Sequence, residues 1–375
     1  MGEIPHRGKE KKYSSLKARL ALCGFVLPLA AAAIFHFFLS YPIWRYAVNL
    51  TDSPGAAYPV YVLAFFLFVY FFLLPLRFFS SFTVEKKFGL STRAFTSWLK
   101  DEAKSALLTL ALWVVSILFF YAAIYYFPAG WWAVSAFAWI SFSVALSFLA
   151  PVLIVPMFLK YLPIDSNELR ERISGLAERT GVRVQDICRV DLSKKTLKAN
   201  AALMGIGKTR KVVLADTLTG NFTPEEVESV AAHEFGHHKL KHIPRLLVFS
   251  SALALLGFWV LYLASGAVSA FAGTDGILDV RTLPVIFFFA QFVEILIVPV
   301  RNFFSRRLER EADIYAIETT SRPGTFIDAL RKLARMNFAE PAPSVLRKIF
   351  LYSHPPISER IAMARKRIEE RRPAD

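Results

Sequence analysis

The chain has 375 residues, of which 55% are hydrophobic, and it contains 35 phenylalanines. A composition this apolar is typical of a polytopic membrane protein and argues against a water-soluble enzyme. The formal net charge is +15 at pH 7; because no nucleic-acid-binding motif accompanies it, basic loops at an anionic bilayer surface explain the charge, and no nucleic-acid partner is expected.

Four apolar runs fill the N-terminal part of the chain, and each is long enough to cross a hydrocarbon core of about 30 Å as a helix. They lie near Leu20–Ser40, Ala57–Phe79, Ser105–Phe127 and Trp131–Leu159. The first run is too long for a secretory signal peptide and is expected to remain as a helix. Residues 1–159 are therefore predicted to form an N-terminal membrane domain with about four transmembrane helices.

The next segment, residues 160–244, is polar enough to lie outside the membrane. It contains an amphipathic helical pattern over Leu169–Thr180 and two short β-rich runs, Val182–Asp191 and Lys211–Ala215. A further helix is predicted to begin after Thr223, because the sequence Thr223-Pro224-Glu225-Glu226 combines an N-cap, a proline at the first helical position and a capping-box glutamate. This segment predicts a mainly helical domain that carries a small β-sheet.

The last of these helices contains the sequence His233-Glu234-Phe235-Gly236-His237, which has the pattern H-E-x-x-H. Residues four apart lie on one face of a helix, so His233 and His237 can bind one metal ion. Glu234 then faces a metal-bound water, which is the arrangement of a zinc hydrolase. His238 and His242 are turned away from this face by steps of about 100° per residue, and we expect them on a solvated helix surface.

Two further apolar runs, Arg245–Phe271 and Leu283–Phe304, predict a transmembrane hairpin over residues 245–304. Lysine and arginine are concentrated on alternate loops: six precede the first span and six lie between the second and third, whereas the opposite loops hold few. This bias places both termini and the H-E-x-x-H helix on the cytoplasmic side. One cytoplasmic domain is then assembled from residues 160–244 and 305–375, on either side of the hairpin.

A third metal ligand is expected where the chain returns from the membrane, because a catalytic zinc usually has three protein ligands and an open position. Glu309 and Asp313 are four residues apart and share a helix face, so Glu309 could bind the metal while Asp313 accepts a hydrogen bond from a ligand imidazole. Glu311 would point elsewhere. The spacing alone fits equally well a solvated helix stabilised by arginine–glutamate ion pairs.

Several ordered motifs together resemble the type I CAAX prenyl endopeptidases, which are integral-membrane zinc metalloproteases of the gluzincin group, and the chain looks like a prokaryotic member. The resemblance covers nearly the whole sequence. Besides H-E-x-x-H and Ser305-Arg306-Arg307-x-Glu309-x-x-Ala312-Asp313, the matching segments are Phe82–Ser91, Pro151–Pro163, Asp191–Lys194, Lys198–Ala201, Val213–Leu218 and Ser353-His354-Pro355-Pro356-x-x-x-Arg360-Ile361.

The resemblance implies a set of roles. His233, His237 and Glu309 would bind one Zn²⁺ per subunit, Glu234 would be the general base, and Asp313 would support a ligand imidazole. It also implies three substrate-side features. Asn200 and Ala201 would lie on an edge strand that receives the substrate backbone by β-augmentation. His354 would lie at the cleft and stabilise the tetrahedral oxyanion, with Arg360 nearby as an electrostatic or structural support.

The implied function is hydrolysis of peptide bonds in a peptide or protein substrate that is prenylated or membrane-associated. Enzymes of this family cleave at a C-terminal prenylated cysteine motif. One alternative is a heat-shock-type quality-control protease of the same clan. Another is a metal-binding membrane scaffold without turnover, which an intact Glu234 argues against. Eukaryotic family members have seven spans around a large intramembrane chamber, whereas about six are predicted here.

Overall fold

The computed structural model describes residues 7–51, 54–205 and 210–370. Within these ranges, six helices are long and apolar enough to cross a membrane, as the sequence predicted. They cover Gly8–Thr51, Gly55–Lys87, Phe95–Tyr126, Trp131–Phe158, His242–Ala272 and Val280–Thr320. Most of these helices are longer than the apolar runs from which they were predicted, because their polar ends continue into the water-exposed part of the molecule.

Three of the first four membrane helices, the first, second and fourth, contain a short π-helical turn that divides them into shorter α-helices, whereas the third is one continuous α-helix. The helices are α1 (Arg7–Ile34), α2 (Ser40–Thr51), α3 (Pro54–Phe78), α4 (Val84–Lys87), α5 (Phe95–Tyr126), α6 (Trp131–Leu149) and α7 (Val155–Phe158). Aromatic rings fill the space between them. Phe35 and Phe65 are fully buried and meet edge to face with their ring centroids 4.8 Å apart, a geometry favoured by the ring quadrupoles.

The first polar segment forms a four-stranded sheet and three helices. In chain order these are β1 (Tyr161–Pro163), α8 (Asn167–Thr180), β2 (Asp186–Val190), β3 (Ala201–Met204), β4 (Lys211–Ala215), α9 (Asp216–Thr219) and α10 (Pro224–Lys239). The strand order is β1-β2-β4-β3, with β2 and β4 parallel and the two outer pairings antiparallel. The helix and the two β-rich runs predicted from the sequence are confirmed, and β3 is an edge strand.

The predicted start of α10 is also confirmed. Thr223 accepts from the backbone N–H of Glu226, and the Glu226 carboxylate accepts from the backbone N–H of Thr223 at 2.8 Å, which completes a capping box. The helix ends at Lys239, and Lys241 adopts a left-handed backbone conformation with φ 56°. This sharp turn leads directly into the fifth membrane helix.

The C-terminal part begins with that helix, α11 (His242–Ala272), and continues through α12 (Leu283–Thr320), α13 (Pro323–Met336), α14 (Val345–Leu351) and α15 (Ile357–Glu370). Helix α12 is 38 residues long, and its second half leaves the apolar region and carries charged residues. Helices α8, α10, α13 and α15 pack with the sheet around one hydrophobic core in which Leu214, Phe235 and Leu330 are almost fully buried. The two polar segments therefore form one domain.

A buried carboxylate joins this domain to the membrane helices. Glu85 accepts hydrogen bonds from the Tyr13 hydroxyl at 2.7 Å and from Lys17 at 3.1 Å. Its second oxygen lies 2.8 Å from the Lys198 ammonium. Because Lys198 stands just before β3, this ionic cluster connects the first membrane helix and the end of the second to the edge of the sheet.

An apolar cavity of about 610 Å³ lies among the membrane helices. Helices α5, α6, α11 and α12 line it, mainly with aromatic and aliphatic side chains, and Glu294 is its one carboxylate among the described residues. Glu294 also forms an ion pair with Arg301 at 2.5 Å.

Candidate metal centre and catalytic cleft

Helices α10 and α12 approach each other closely at Gly236. A Cβ atom at this position would lie 3.2 Å from the Ala312 Cα and 3.1 Å from the Tyr315 Cδ1. Contacts this short are tighter than those of most real Cβ atoms, so the glycine lets the two helices lie closer together than a larger residue would without a shift of its neighbours. The close approach brings the His233 and His237 face of α10 against the Glu309 face of α12.

Three donor groups meet where these faces touch. The Nε2 atoms of His233 and His237 are 3.1 Å apart, and Glu309 places its Oε2 3.3 Å from His233 Nε2 and its Oε1 3.4 Å from His237 Nε2. Four-coordinate zinc with bonds of 2.0–2.1 Å requires donor atoms about 3.3 Å apart, the edge of a regular tetrahedron. Among the described groups, the buried Glu309 Oε2 has no hydrogen-bond partner. The three residues therefore fit a metal ion.

His233 is supported from behind by a buried ion pair. Its Nδ1 lies 2.9 Å from Asp313 Oδ1, and the Asp313 carboxylate, which is fully buried, accepts from Arg360 Nε at 2.8 Å and from its terminal nitrogen at 2.5 Å. Without a metal, burial lowers the pKa of His233, but the neighbouring Asp313 and Glu309 carboxylates outweigh burial and raise it to about 9. Arg360 therefore acts on His233 through Asp313.

His237 has a different neighbour. Its Nδ1 lies 3.0 Å from the Nδ1 of His242, a fully buried side chain whose Nε2 is 3.3 Å from Glu311 Oε2. The prediction that His242 lies on a solvated surface is wrong, because α10 ends before it and the left-handed conformation of Lys241 breaks the helical periodicity on which the prediction rested. Glu311 does point away from the metal ligands, as expected, but towards His242.

Glu234 follows His233 directly in the sequence and lines a cavity of about 200 Å³. Burial raises the pKa of its carboxyl above the ordinary value, with the Glu309 charge adding to the rise and His233 opposing it. The same cavity brings together most of the site residues predicted from the sequence. They are Asn200, Ala201, His233, Glu234, His354 and Arg360.

The register of β3 determines which backbone groups face this cavity. The Ala215 N–H donates to the Asn200 carbonyl at 3.0 Å, and Ala201 lies opposite Leu214. Because hydrogen-bonded and non-bonded pairs alternate in an antiparallel ladder, the N–H and C=O groups of Ala201 and Leu203 point away from β4, towards the open edge. The Asn200 carbonyl is used inside the sheet, so Leu203, which the sequence motifs did not indicate, provides the second backbone pair at this edge, where its N–H donates to the Glu234 carboxylate.

His354 stands on a loop at the mouth of the cavity. Its side chain is 62% exposed, and its Nε2 lies 3.3 Å from Glu309 Oε1. Two buried residues of α12 hold this loop. Asn302 donates to the carbonyls of Ile349 and Phe350 at 3.0 Å each, and Arg306 donates to the carbonyls of Lys348 and Tyr352 at 2.9 and 2.7 Å. Sequence reasoning assigned neither α12 residue a role.

Comparison with known proteins agrees with this geometry. A family model for peptidase family M48 matches residues 163–368, and one described as the CAAX prenyl protease N-terminal region with five membrane helices matches residues 7–160; four of the long apolar helices lie in that range.

Relatives are similar over most of their length. CAAX prenyl protease 1 of Saccharomyces cerevisiae is 29% identical, with 94% of this chain and 84% of the relative covered. An uncharacterized metalloprotease of Bacillus subtilis, YhfN, is 30% identical, with 76% of this chain and 67% of the relative covered. The crystal structure of S. mikatae Ste24p superimposes with a TM-score of 0.81 at 25% identity, covering 94% of this chain and 87% of that one.

These comparisons lend no support to a non-catalytic scaffold. The matched family is one of metallopeptidases, and both the membrane helices and the polar domain fall within the matched regions. The chain belongs to peptidase family M48 and is an integral-membrane metalloendopeptidase.

Proposed function

We propose that this peptidase uses one zinc ion, held by His233, His237 and Glu309, to cleave peptide bonds next to a prenylated C-terminal cysteine. The observation that carries the proposal is the meeting of three donor groups with a buried glutamate beside them: the two imidazole Nε2 atoms are 3.1 Å apart, and each lies 3.3–3.4 Å from a different oxygen of Glu309. Two imidazoles and a carboxylate form a ligand set that suits zinc and leaves a position open. When bound, zinc would supply an acidified water and polarise the scissile carbonyl.

Glu234 would serve as the general base in this reaction. Burial favours its neutral form, and a base whose pKa is raised towards the working pH is a stronger proton acceptor than an ordinary carboxylate. In the proposed mechanism Glu234 accepts a proton from the attacking water and afterwards transfers it to the leaving amine. Its location on the cavity wall, one residue after His233, supports this role.

His354 and Arg360 would have different roles in the reaction. His354 is exposed at the mouth of the cavity, so its Nε2–H could donate to the developing oxyanion of the substrate. Arg360 uses two of its nitrogens on Asp313, so its proposed contribution is to hold that carboxylate against His233. Its positive charge at the cavity wall would also favour the oxyanion.

The substrate would add a strand to the open edge of β3. The N–H and C=O groups of Ala201 and Leu203 face that edge, as β-augmentation requires, and the Leu203 N–H would exchange its hydrogen bond with Glu234 for one with the substrate. Beside the metal ligands the cavity is lined by small apolar side chains, including Ala329, Leu333 and Ile357. A cavity of about 200 Å³ with such walls suits an aliphatic side chain, and a CAAX sequence has an aliphatic residue directly after its cysteine.

We also propose that the catalytic domain lies on the cytoplasmic side. Tyr13 near the N-terminus, the loop at Leu90 and the catalytic domain are in contact, since Tyr13 meets Lys198 at 2.8 Å and Leu90 accepts from the Leu197 N–H at 2.9 Å. All three therefore lie at one end of the membrane bundle. The basic residues are concentrated at that end, and the positive-inside rule assigns it to the cytoplasm.

The first experiment separates metal binding from catalysis. In Glu234→Gln protein purified in detergent, bound zinc should remain at the wild-type level while peptide cleavage falls by about 10²–10⁴, the usual contribution of a general base. Glu225→Gln, a matched change at the opposite end of α10, should leave both unchanged. Cleavage that survives in Glu234→Gln would contradict the assignment of the base.

The second experiment addresses the substrate. A farnesylated CAAX peptide and its non-prenylated twin are compared at equal concentration, with a chelator and zinc add-back as controls. Preferential cleavage of the farnesylated peptide supports the CAAX assignment. Equal cleavage of both would contradict it and favour membrane-protein quality control. A sharp loss when the residue after the cysteine is changed from valine to aspartate would support the apolar cavity as its binding site.

A further inference from the structure

A chain of four side chains extends from the second metal-ligand candidate to the first turn of α11, the fifth membrane helix. His237 Nδ1 lies 3.0 Å from His242 Nδ1, and His242 Nε2 lies 3.3 Å from Glu311 Oε2. Arg245 holds both oxygens of Glu311, at 2.5 and 3.2 Å. The imidazole at the centre of this chain is fully buried at the start of α11, and both of its ring nitrogens have a partner.

The hydrogen-bond roles along this chain are determined by its two ends. If His237 binds a metal through Nε2, its proton is on Nδ1, and that N–H can only donate to an unprotonated Nδ1 of His242. The His242 proton is then on Nε2, where the carboxylate of Glu311 accepts it. Each donor therefore meets one acceptor, and no buried polar atom of the two imidazoles is left unpaired.

We propose that His242, supported by Glu311 and Arg245, is a positioning residue that fixes the tautomer and ring orientation of His237. This inference rests on the proposed metal site. Imidazoles that bind a metal usually donate their second N–H to a carboxylate or carbonyl, which orients the ring and increases its basicity. His233 has a carboxylate directly beside its second nitrogen, that of Asp313 at 2.9 Å, whereas His237 reaches a carboxylate only through a second imidazole.

The geometry of α12 explains why an intermediate residue is needed. Glu311 is two residues from Glu309, so it lies about 200° around the helix and cannot face the same point as the metal ligands. His242 spans the gap because the left-handed turn at Lys241 brings the start of α11 beside the end of α10. Each candidate ligand histidine is thus connected to a carboxylate that accepts from two nitrogens of an arginine. For His233 the pair is Asp313 and Arg360, and for His237 it is Glu311 and Arg245.

A matched pair of substitutions at His242 tests the proposal. Asparagine and leucine have nearly the same shape, but only asparagine has a carbonyl oxygen close to where Nδ1 lies in histidine. Zinc affinity is measured by competition with a chelating dye, and Co²⁺ is substituted for zinc to report ligand geometry through its visible spectrum. We expect His242→Leu to weaken zinc binding 10–100-fold and alter the Co²⁺ spectrum, while His242→Asn stays much closer to wild type.

A second pair of substitutions, at Glu311, tests the same proposal in case the variants of the buried His242 do not fold. Glutamine keeps an acceptor oxygen for His242, whereas methionine has a similar volume and none, so zinc affinity should fall more in Glu311→Met than in Glu311→Gln. Equal affinities within each pair would mean that packing, not hydrogen bonding, explains these residues, and would overturn the inference. If the wild type takes up no zinc, both the metal assignment and the positioning role are wrong.

Discussion

Substitution of Gly236 by alanine would test whether the contact between α10 and α12 determines the spacing of the metal ligands. The new Cβ would stand 3.1–3.2 Å from Tyr315 and Ala312, whereas ordinary contact begins at 3.4 Å, so the helices must separate by roughly 0.2–0.3 Å. Metal sites tolerate deviations of only about 0.2 Å in ligand distance. The displaced Glu309, one turn from Ala312, should therefore bind the metal less well.

Two opposing effects decide how stability changes. Alanine is favoured over glycine inside a helix by about 1 kcal/mol, whereas overpacking of a tight contact destabilises by about 1–3 kcal/mol. The net effect is a loss of about 0–2 kcal/mol, or a decrease in Tm of a few degrees for a domain of this size. Gly175 in α8 is the matched control, because a Cβ there meets only the Arg179 side chain, at 3.5 Å.

The assay compares Gly236→Ala and Gly175→Ala in detergent, by thermal unfolding with and without zinc and by zinc competition. Gly175→Ala should raise Tm and leave zinc affinity unchanged, because it gains the helix propensity without a clash. Gly236→Ala should lower both quantities. If Gly236→Ala raises Tm as much as the control and binds zinc normally, the close helix contact does not position Glu309 and the reasoning fails.

Three further outcomes follow from the site. Zinc binding at pH 7.5 should release about one proton, because the pKa of His233 is raised to about 9 and this imidazole stays protonated below that pH until the metal displaces its proton. Calorimetry in buffers of different ionisation enthalpy measures the number of protons released, and a value of zero would refute the prediction. Arg306→Met should lower kcat/KM by up to about a hundredfold with zinc affinity unchanged, because the segment that leads to His354 loses the hydrogen bonds that Arg306 donates to the carbonyls of Lys348 and Tyr352. A parallel decrease in zinc affinity would contradict this role. Arg360→Met should destabilise the protein by about 3–5 kcal/mol, because the buried Asp313 carboxylate loses both hydrogen bonds from the guanidinium. A double variant that also has Asp313→Leu should recover part of that loss in urea unfolding, and equal stability of the single variant and wild type would refute the argument.

Much of the site could be predicted because it follows helical periodicity. A spacing of four residues on one face made Glu309 and Asp313 candidates, and the family resemblance favoured them over a solvated helix that the spacing fitted equally well. The same face of α12 also carries Asn302 and Arg306, at positions seven and three residues before Glu309, so the periodicity that indicated this candidate ligand also includes the two residues that hold the His354 loop. They were overlooked because asparagine and arginine are not metal ligands.

Other features could not be read from periodicity. His242 was misplaced because a step of 100° per residue was continued through Lys241, where the backbone leaves the helix. The free edge of β3 depends on pairing between segments that are not adjacent in sequence, and a shift of one residue would exchange Asn200 and Ala201. Only the observed register determines which backbone groups face the cavity. The six membrane helices, in contrast, required nothing beyond the length and polarity of each run.

Helix α12 has no break between its apolar half and Glu309, and α10 is separated from α11 by only two residues. A change in bilayer thickness tilts transmembrane helices, and a tilt of about 4° at Pro299 would move Glu309, some 15 Å further along a rise of 1.5 Å per residue, by about 1 Å. Bilayer thickness is therefore expected to change the distance between Glu309 and the two histidines that complete the candidate metal site. The rate of hydrolysis in vesicles should pass through a maximum as the acyl chains are lengthened.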